Sequence, residues 1–205
     1  MNRFALGFYH YSEWIVRLAY VNLLWIAFTI AGLGIFGFMP ATISMFAVIR
    51  KWRMGEVNVP IWSTFWKNYK KEFIKSNVFG TIFFLIGYVL SIEFQILRNT
   101  DQLIYLIVSY GVLGLFLLLL ITFIYFFPIF VHFKLENIQY LKWPFIMGII
   151  HPILTIVLLV VIGGITYVTV LYMPGMLLFF GGSVIAYVLM WGVTMTFPKY
   201  ESKTL

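Results

Sequence analysis

An all-α fold, a polytopic membrane helix bundle of about six transmembrane helices plus a cytoplasmic amphipathic interfacial helix, is predicted by three features of this sequence. Of 205 residues, 62% are hydrophobic and 10% charged, where a soluble domain carries about 25% charged residues. No Asp, Glu, Lys or Arg occurs in 18–49, 102–133 or 143–198, and each stretch exceeds the about 20 apolar residues that one spanning helix needs. Half of the 14 basic residues fall between 50 and 75, the one sizeable polar segment. A single integral membrane domain over 1–205 follows, because what lies outside the spans is too short to fold separately.

The first charge-free run needs a break. As one helix, 18–49 would be about 48 Å long, against a hydrocarbon core of about 30 Å. Gly32, Gly34, Gly37 and Pro40 lie in its middle and favour a turn followed by a new helix start. A tight hairpin with spans at about 14–33 and 38–53 is therefore expected. Arg3 precedes a long, late apolar run without a convincing A-x-A site, so the first span is read as retained and not as a cleaved signal peptide. The later spans are expected at about 76–97, 103–131, 145–171 and 175–196, with Met173-Pro174-Gly175 dividing the last charge-free block.

Lys and Arg in short loops stay cytoplasmic. With six spans and both termini inside, 13 of the 14 basic residues lie on the inner side and only Arg98 outside. Merging 14–49 into one span would lower that ratio to 11 against 3, so charge bias favours six spans over five.

In the cytoplasmic basic segment 50–75, Ile61, Trp62, Phe65, Trp66, Tyr69 and Phe73 recur at helical spacing, and Lys67, Lys70 and Lys71 lie mostly off that stripe. Such a helix suits the inner headgroup layer, with Trp52, Trp62, Phe65 and Trp66 as anchors. Arg50, Lys51, Arg53, Lys67, Lys70 and Lys71 would then meet lipid headgroups or a docking partner. Nucleic acid is rejected as a partner, because anionic lipid is closer and its attraction suffices.

Chemistry has few places to reside. Cysteine is absent, which removes disulfides, thiolate metal sites and thiol nucleophiles together. Neither G-x-x-x-x-G-K-[ST] nor H-E-x-x-H occurs, so ATP hydrolysis by this chain and metalloprotease chemistry are not expected, and no cofactor or metal is called for. Gly181-Gly182-Ser183 has the form of a serine-protease motif, but expected span depths separate Ser183 from His151 by about 9 Å, too far for a hydrogen bond. Asn22, Glu93 and His151 are the polar groups expected inside or near spans, and each carries two readings. Intramembrane ionisable groups are functional candidates by default. Against that, Asn22 suits interhelical glue, Glu93 suits snorkelling or pairing with Arg98, and His151 suits a bond to a neighbouring helix. Pro152 has no N–H for the carbonyl of Gly148, so a kink is expected at His151.

The order of features also resembles a known family. Asn22-Leu23-Leu24-Trp25, then Met39-Pro40-Ala41-Thr42, then Val48 to Gly55, and Phe65 to Phe73 with Asn77 and Gly80, are similar to the YesL-like family of bacterial integral membrane proteins. The resemblance covers length and span count over the whole chain and recognisable motifs over about 20–80. That family's break usually reads Gly-Pro-Ala, and here Met39 stands in place of its Gly. The resemblance implies a bacterial cell membrane and no family catalytic residues. Because the family's genes often accompany those of carbohydrate ABC importers, it implies an accessory subunit of such a system, meeting its permease or ATPase subunits. The sequence thus favours a non-enzymatic membrane subunit docking through its inner basic segment. A self-contained small transporter or channel, with a path near His151 or Glu93, is the alternative, and an intramembrane enzyme the third.

Overall fold

The computed structural model describes the backbone of residues 3–98 and 102–197, with side chains from Tyr11 onward. The side chain of Arg3, the C-terminus and Lys199 and Lys203, all expected on the inner side, lie outside the described residues. Among those described, there are seven helices and no strand: α1 Arg3–Ala31, α2 Ile35–Arg53, α3 Ile61–Arg98, α4 Leu103–His132, α5 Gln139–Ile150, α6 Pro152–Tyr172 and α7 Met176–Thr194. Five of them, α1 from Tyr11 together with α3, α4, α6 and α7, are long and apolar enough to cross a membrane. The protein is a multi-pass helical membrane bundle.

The segment expected as a sixth span is α2, which is not among those five helices; it is the enclosed centre of the bundle, packed on α1, α3, α4 and α7. Ala41, Ile43, Met45, Phe46, Val48 and Ile49 are all buried in protein. Its hydroxyls turn inward onto their own helix: Ser44 Oγ donates to the carbonyl of Pro40 at 2.7 Å and Thr42 Oγ1 to that of Phe38 at 2.7 Å. Trp25 of α1 donates from Nε1 to Thr42 Oγ1 at 3.0 Å, which fixes the register of the hairpin.

The break falls where the glycines lie. Leu33 and Gly34 adopt φ of 59° and 75°, and their amides return to the carbonyls of Ile30 at 2.9 Å and Thr29 at 2.8 Å. This is the paired closure that ends many helices. Gly37 then lets α2 start against α1, since a Cβ there would fall on the backbone oxygens of Thr29 and Phe28.

Pro40 lies inside α2 and cannot donate to the carbonyl of Phe36. Asn77 of α3 takes that acceptor, donating from Nδ2 to Phe36 at 3.0 Å and to Phe73 of its own helix at 2.8 Å. Met39, at the place of the family's glycine, leans on the opposite partner: a Cβ on Gly80 would sit 2.5 Å from Met39 Cγ. The missing glycine of α2 is therefore accommodated by one on α3.

α3 joins two elements expected apart. The amphipathic stretch and the span at 76–97 form one continuous helix of 38 residues, about 57 Å long. Between Ile61 and Phe79 there is no Gly or Pro to break it. Its aromatic stripe packs on α1, where Phe28 meets Trp62, Phe65, Trp66 and Tyr69 at ring distances of 5.7, 5.3, 5.3 and 4.9 Å. Tyr69 also donates to the carbonyl of Phe28 at 3.1 Å. Beyond Asn77, the remaining 78–98 rise about 30 Å, one hydrocarbon thickness, and expose Phe84, Leu85, Tyr88, Val89 and Ile96. Measured along α3, the α1–α2 turn thus stands about 30 Å short of the α3–α4 connection.

The expected kink at His151 is a full break. α5 ends at Ile150 and α6 starts at Pro152, with His151 at φ −112° and ψ 61°. Thr155 repairs the vacancy that Pro152 leaves, its hydroxyl lying 3.0 Å from the carbonyls of Gly148 and His151 and 2.9 Å from Tyr125 Oη of α4. The span at 145–171 is consequently α6 with the last turns of α5 folded back along α4.

Candidate functional site at the basic end

The basic residues divide into two groups once α2 and α3 are packed. Arg53, Lys67 and Lys70 are exposed, with Lys70 Nζ 4.8 Å from the ring centre of Trp66. Arg50 and Lys51 of α2, and Asn68, Lys71, Glu72 and Lys75 of α3, instead line one cavity of about 600 Å³. These positions are spaced to share one face of each helix. The third wall is the end of α4 and the chain after it, with Phe130, His132, Lys134 and Tyr140.

Local bonding holds that wall in shape. Tyr140 donates from Oη to the carbonyl of Phe133 at 3.1 Å and accepts from the amide of Leu135 at 3.0 Å, so one side chain clasps the α4–α5 connection. Its ring also seats Lys75, whose Nζ lies 4.1 Å from the Tyr140 ring centre and 5.5 Å from that of Phe130. Such placement favours a cation by about 0.5–2 kcal/mol.

Charge in the cavity is one-sided. Arg50, Lys51, Lys71, Lys75 and Lys134 face a single carboxylate, Glu72, which pairs with Lys71 at 3.0 Å. Lys51 reaches Glu56 outside it at 3.7 Å. Arg50 Nε and His132 Nδ1 are buried and have no hydrogen-bond partner among the described residues. A larger cavity of about 820 Å³ lies between the hairpin turn and the α3–α4 pair, lined by Met39, Phe83, Phe116 and Leu120 with Thr29, Asn77 and Thr81. It holds no ionisable side chain, so the smaller, charged cavity is the candidate site.

Two of the expected interfacial anchors are corrected. Trp52 is 4% and Phe65 0% exposed, so both are core residues; Trp52 meets Trp14 edge-on at 5.6 Å and Phe65 is covered by Phe28. Periodicity placed Phe65 on an apolar stripe of α3, but the stripe faces α1 where a lipid surface was expected; Trp52, on α2, is enclosed against Trp14 of α1. Trp62 at 53% and Trp66 at 38% exposure remain available at the edge of that contact.

The three intramembrane polar candidates are not brought together. Asn22 is fully buried between α1 and α7, donating to the carbonyl of Leu178 at 2.8 Å and accepting from the amides of Gly182 at 3.0 Å and Ser183 at 2.9 Å. Its amide bridges groups that a regular helix pairs directly, the role of interhelical glue. Glu93 is exposed on α3, and His151 is half-buried at the α5–α6 break. Ser183 Oγ is enclosed in the α1–α7 contact without a partner among the described residues, and no hydrogen bond links it to a histidine there.

His132, Lys134 and Tyr140 were not among the expected site residues, since they fall in the connection between the spans expected at 103–131 and 145–171. The available signal was a short polar run with two lysines and a histidine between apolar blocks. Nothing in its spacing says that it returns to Lys75.

Comparison with known proteins places this chain among relatives. The profile of the family described as "Protein of unknown function, DUF624" matches residues 18–94, the segment from α1 through most of α3. The chain is similar to three Bacillus subtilis (strain 168) proteins, each named as uncharacterized. It is 37% identical to YteU over 177 residues, covering 86% of this chain and 79% of the relative. It is 35% identical to YesL over 200 residues, covering 97% and 91%. Identity to YesV is 36% over 193 residues, covering 93% and 91%. No solved structure matches the chain.

Proposed function

The chain belongs to the YesL-like family, and on that premise we propose that it is a non-enzymatic integral membrane protein of the bacterial cell membrane. In this reading it is an accessory subunit of a carbohydrate ABC importer, with both termini cytoplasmic. One observation carries the reading: the exposed cations Arg53, Lys67 and Lys70 and the exposed Trp62 and Trp66 are presented at the basic end of α2 and α3. Aromatic residues and Arg are enriched at protein interfaces, and a rigid charged face steers a partner into register. Phe28 packs under the α3 stripe and Arg17 donates to the carbonyl of Val57 at 2.8 Å, so this face is held before any partner arrives. Energy would come from the importer's own ATPase, consistent with the absence of a phosphate-binding loop from this sequence.

Affinity purification of the tagged protein from native membranes in mild detergent tests the proposal. Importer permease or ATPase subunits should be recovered, and Lys67→Glu/Lys70→Glu should lower recovery at least fivefold without changing the amount of tagged protein. Recovery free of any importer subunit would overturn it.

A further inference from the structure

The cavity at the basic end has the chemistry of an anion site. Five cations converge on about 600 Å³ with one carboxylate among them, a volume in the range of small-ligand pockets, about 300–1,000 Å³. Such cations repel one another unless a counter-charge joins them. Lys71 uses part of its charge on Glu72 and Lys51 on Glu56, whose field also reaches Arg50; Arg50, Lys75 and Lys134 form no direct ion pair among the described residues.

Arg50 adds an independent sign. Its Nε is buried and finds no acceptor among the described residues, and a buried donor left unpaired forfeits the hydrogen bond that water would have given it. His132 Nδ1 on the same wall is also buried without a partner among the described residues, a nitrogen that donates only in the tautomer carrying its proton there, and Asn68 and Tyr140 add polar groups.

We propose that this cavity binds a phosphate group. A carboxylate offers two oxygens and one charge, whereas a phosphate offers more acceptors and matches a guanidinium fork flanked by ammonium groups. Basic pockets between helices at the membrane surface are suited to lipid phosphates; a soluble phosphate ester shares the same chemistry. The site is distinct from the outer face of Arg53, Lys67 and Lys70, and it stands whether or not an importer is recovered with the protein.

The experiment uses the full chain in nanodiscs. One arm measures retention of phosphatidylglycerol over phosphatidylcholine by native mass spectrometry. The other measures the rise in Tm caused by inorganic phosphate in neutral nanodiscs, with chloride at matched ionic strength. Phosphatidylglycerol retention that Arg50→Gln/Lys75→Gln lowers at least fivefold, while Arg53→Gln/Lys67→Gln leaves it within twofold, assigns the site to a lipid phosphate. The same contrast in the phosphate-induced Tm shift assigns it to a soluble one. Lys134→Gln, on an exposed connection residue, guards against misfolding of the double variant and should lower the responding arm two- to threefold. No preference in either arm overturns the proposal, and so does an equal loss from the cavity and outer-face variants.

Discussion

Replacing Gly37 by alanine is expected to prevent closure of the α1–α2 hairpin, destabilising the protein by about 3 kcal/mol or more. Overpacking usually costs about 1–3 kcal/mol because side chains can shift, but here the added Cβ would meet backbone oxygens of Thr29 and Phe28, with Gly32 facing it. Relief requires moving α1 away from α2. That movement would pull Phe28 out from the Trp62, Phe65, Trp66 and Tyr69 cluster and loosen the wall that presents the basic end. Thermal unfolding in detergent measures this, with Gly163→Ala as the contrast. Gly163 lies inside α6 with nothing near its would-be Cβ, so that change should stabilise by about 0.5–1 kcal/mol. A Gly37→Ala protein as stable as the parent would contradict the hairpin geometry.

Asn22→Leu is expected to cost about 2–4 kcal/mol by opening the contact between α1 and α7. The leucine keeps the volume but removes the donated bond to Leu178, a longer one to Leu177 and two accepted hydrogen bonds, and interhelical bonds in membranes contribute about 0.6 kcal/mol each on average, up to about 1.7. Leaving buried amides without partners adds to the loss. Gly182, whose Cβ would sit 3.1 Å from Asn22 Oδ1 and 3.2 Å from the Trp25 ring, prevents a larger residue from filling the gap. Glu93→Gln, on an exposed face, should change stability by less than about 0.5 kcal/mol. Equal melting temperatures for the parent and Asn22→Leu would remove the assignment of Asn22 as structural glue.

Much of the architecture was legible because a bilayer restricts what a sequence can do. Charge-free blocks located the long helices, and helix chemistry located the breaks: Gly32 and Gly34 at the first turn, Pro152 at the α5–α6 junction. Pro40 inside α2 and Pro152 at the start of α6 follow one rule, since each frees a carbonyl that a polar side chain then takes. Asn77 serves Phe36 and Thr155 serves Gly148. The continuity of α3 was hidden because a change of polarity at Lys75 looks like a boundary, although the backbone has no residue there that stops a helix.

The candidate site was half legible. A cluster of seven basic residues in 50–75 is plain in the sequence, but its division into an outer face and an inner cavity depends on which side of α3 meets α2. Phe65 and Trp62 are equally apolar in pattern, and one is enclosed by Phe28 while the other stays exposed. The third wall comes from residues near 132–140, remote in sequence, so only packing could bring Tyr140 to Lys75.

The central claim is that the basic end of α3 faces the cytoplasm and the α3–α4 connection faces outward. A chain without cysteine allows this to be measured directly with Lys70→Cys and Gln102→Cys and a membrane-impermeant maleimide, in intact spheroplasts and in inverted vesicles. The account predicts that Lys70→Cys reacts only in inverted vesicles and Gln102→Cys only in spheroplasts. Reaction of Lys70→Cys in intact spheroplasts would contradict it.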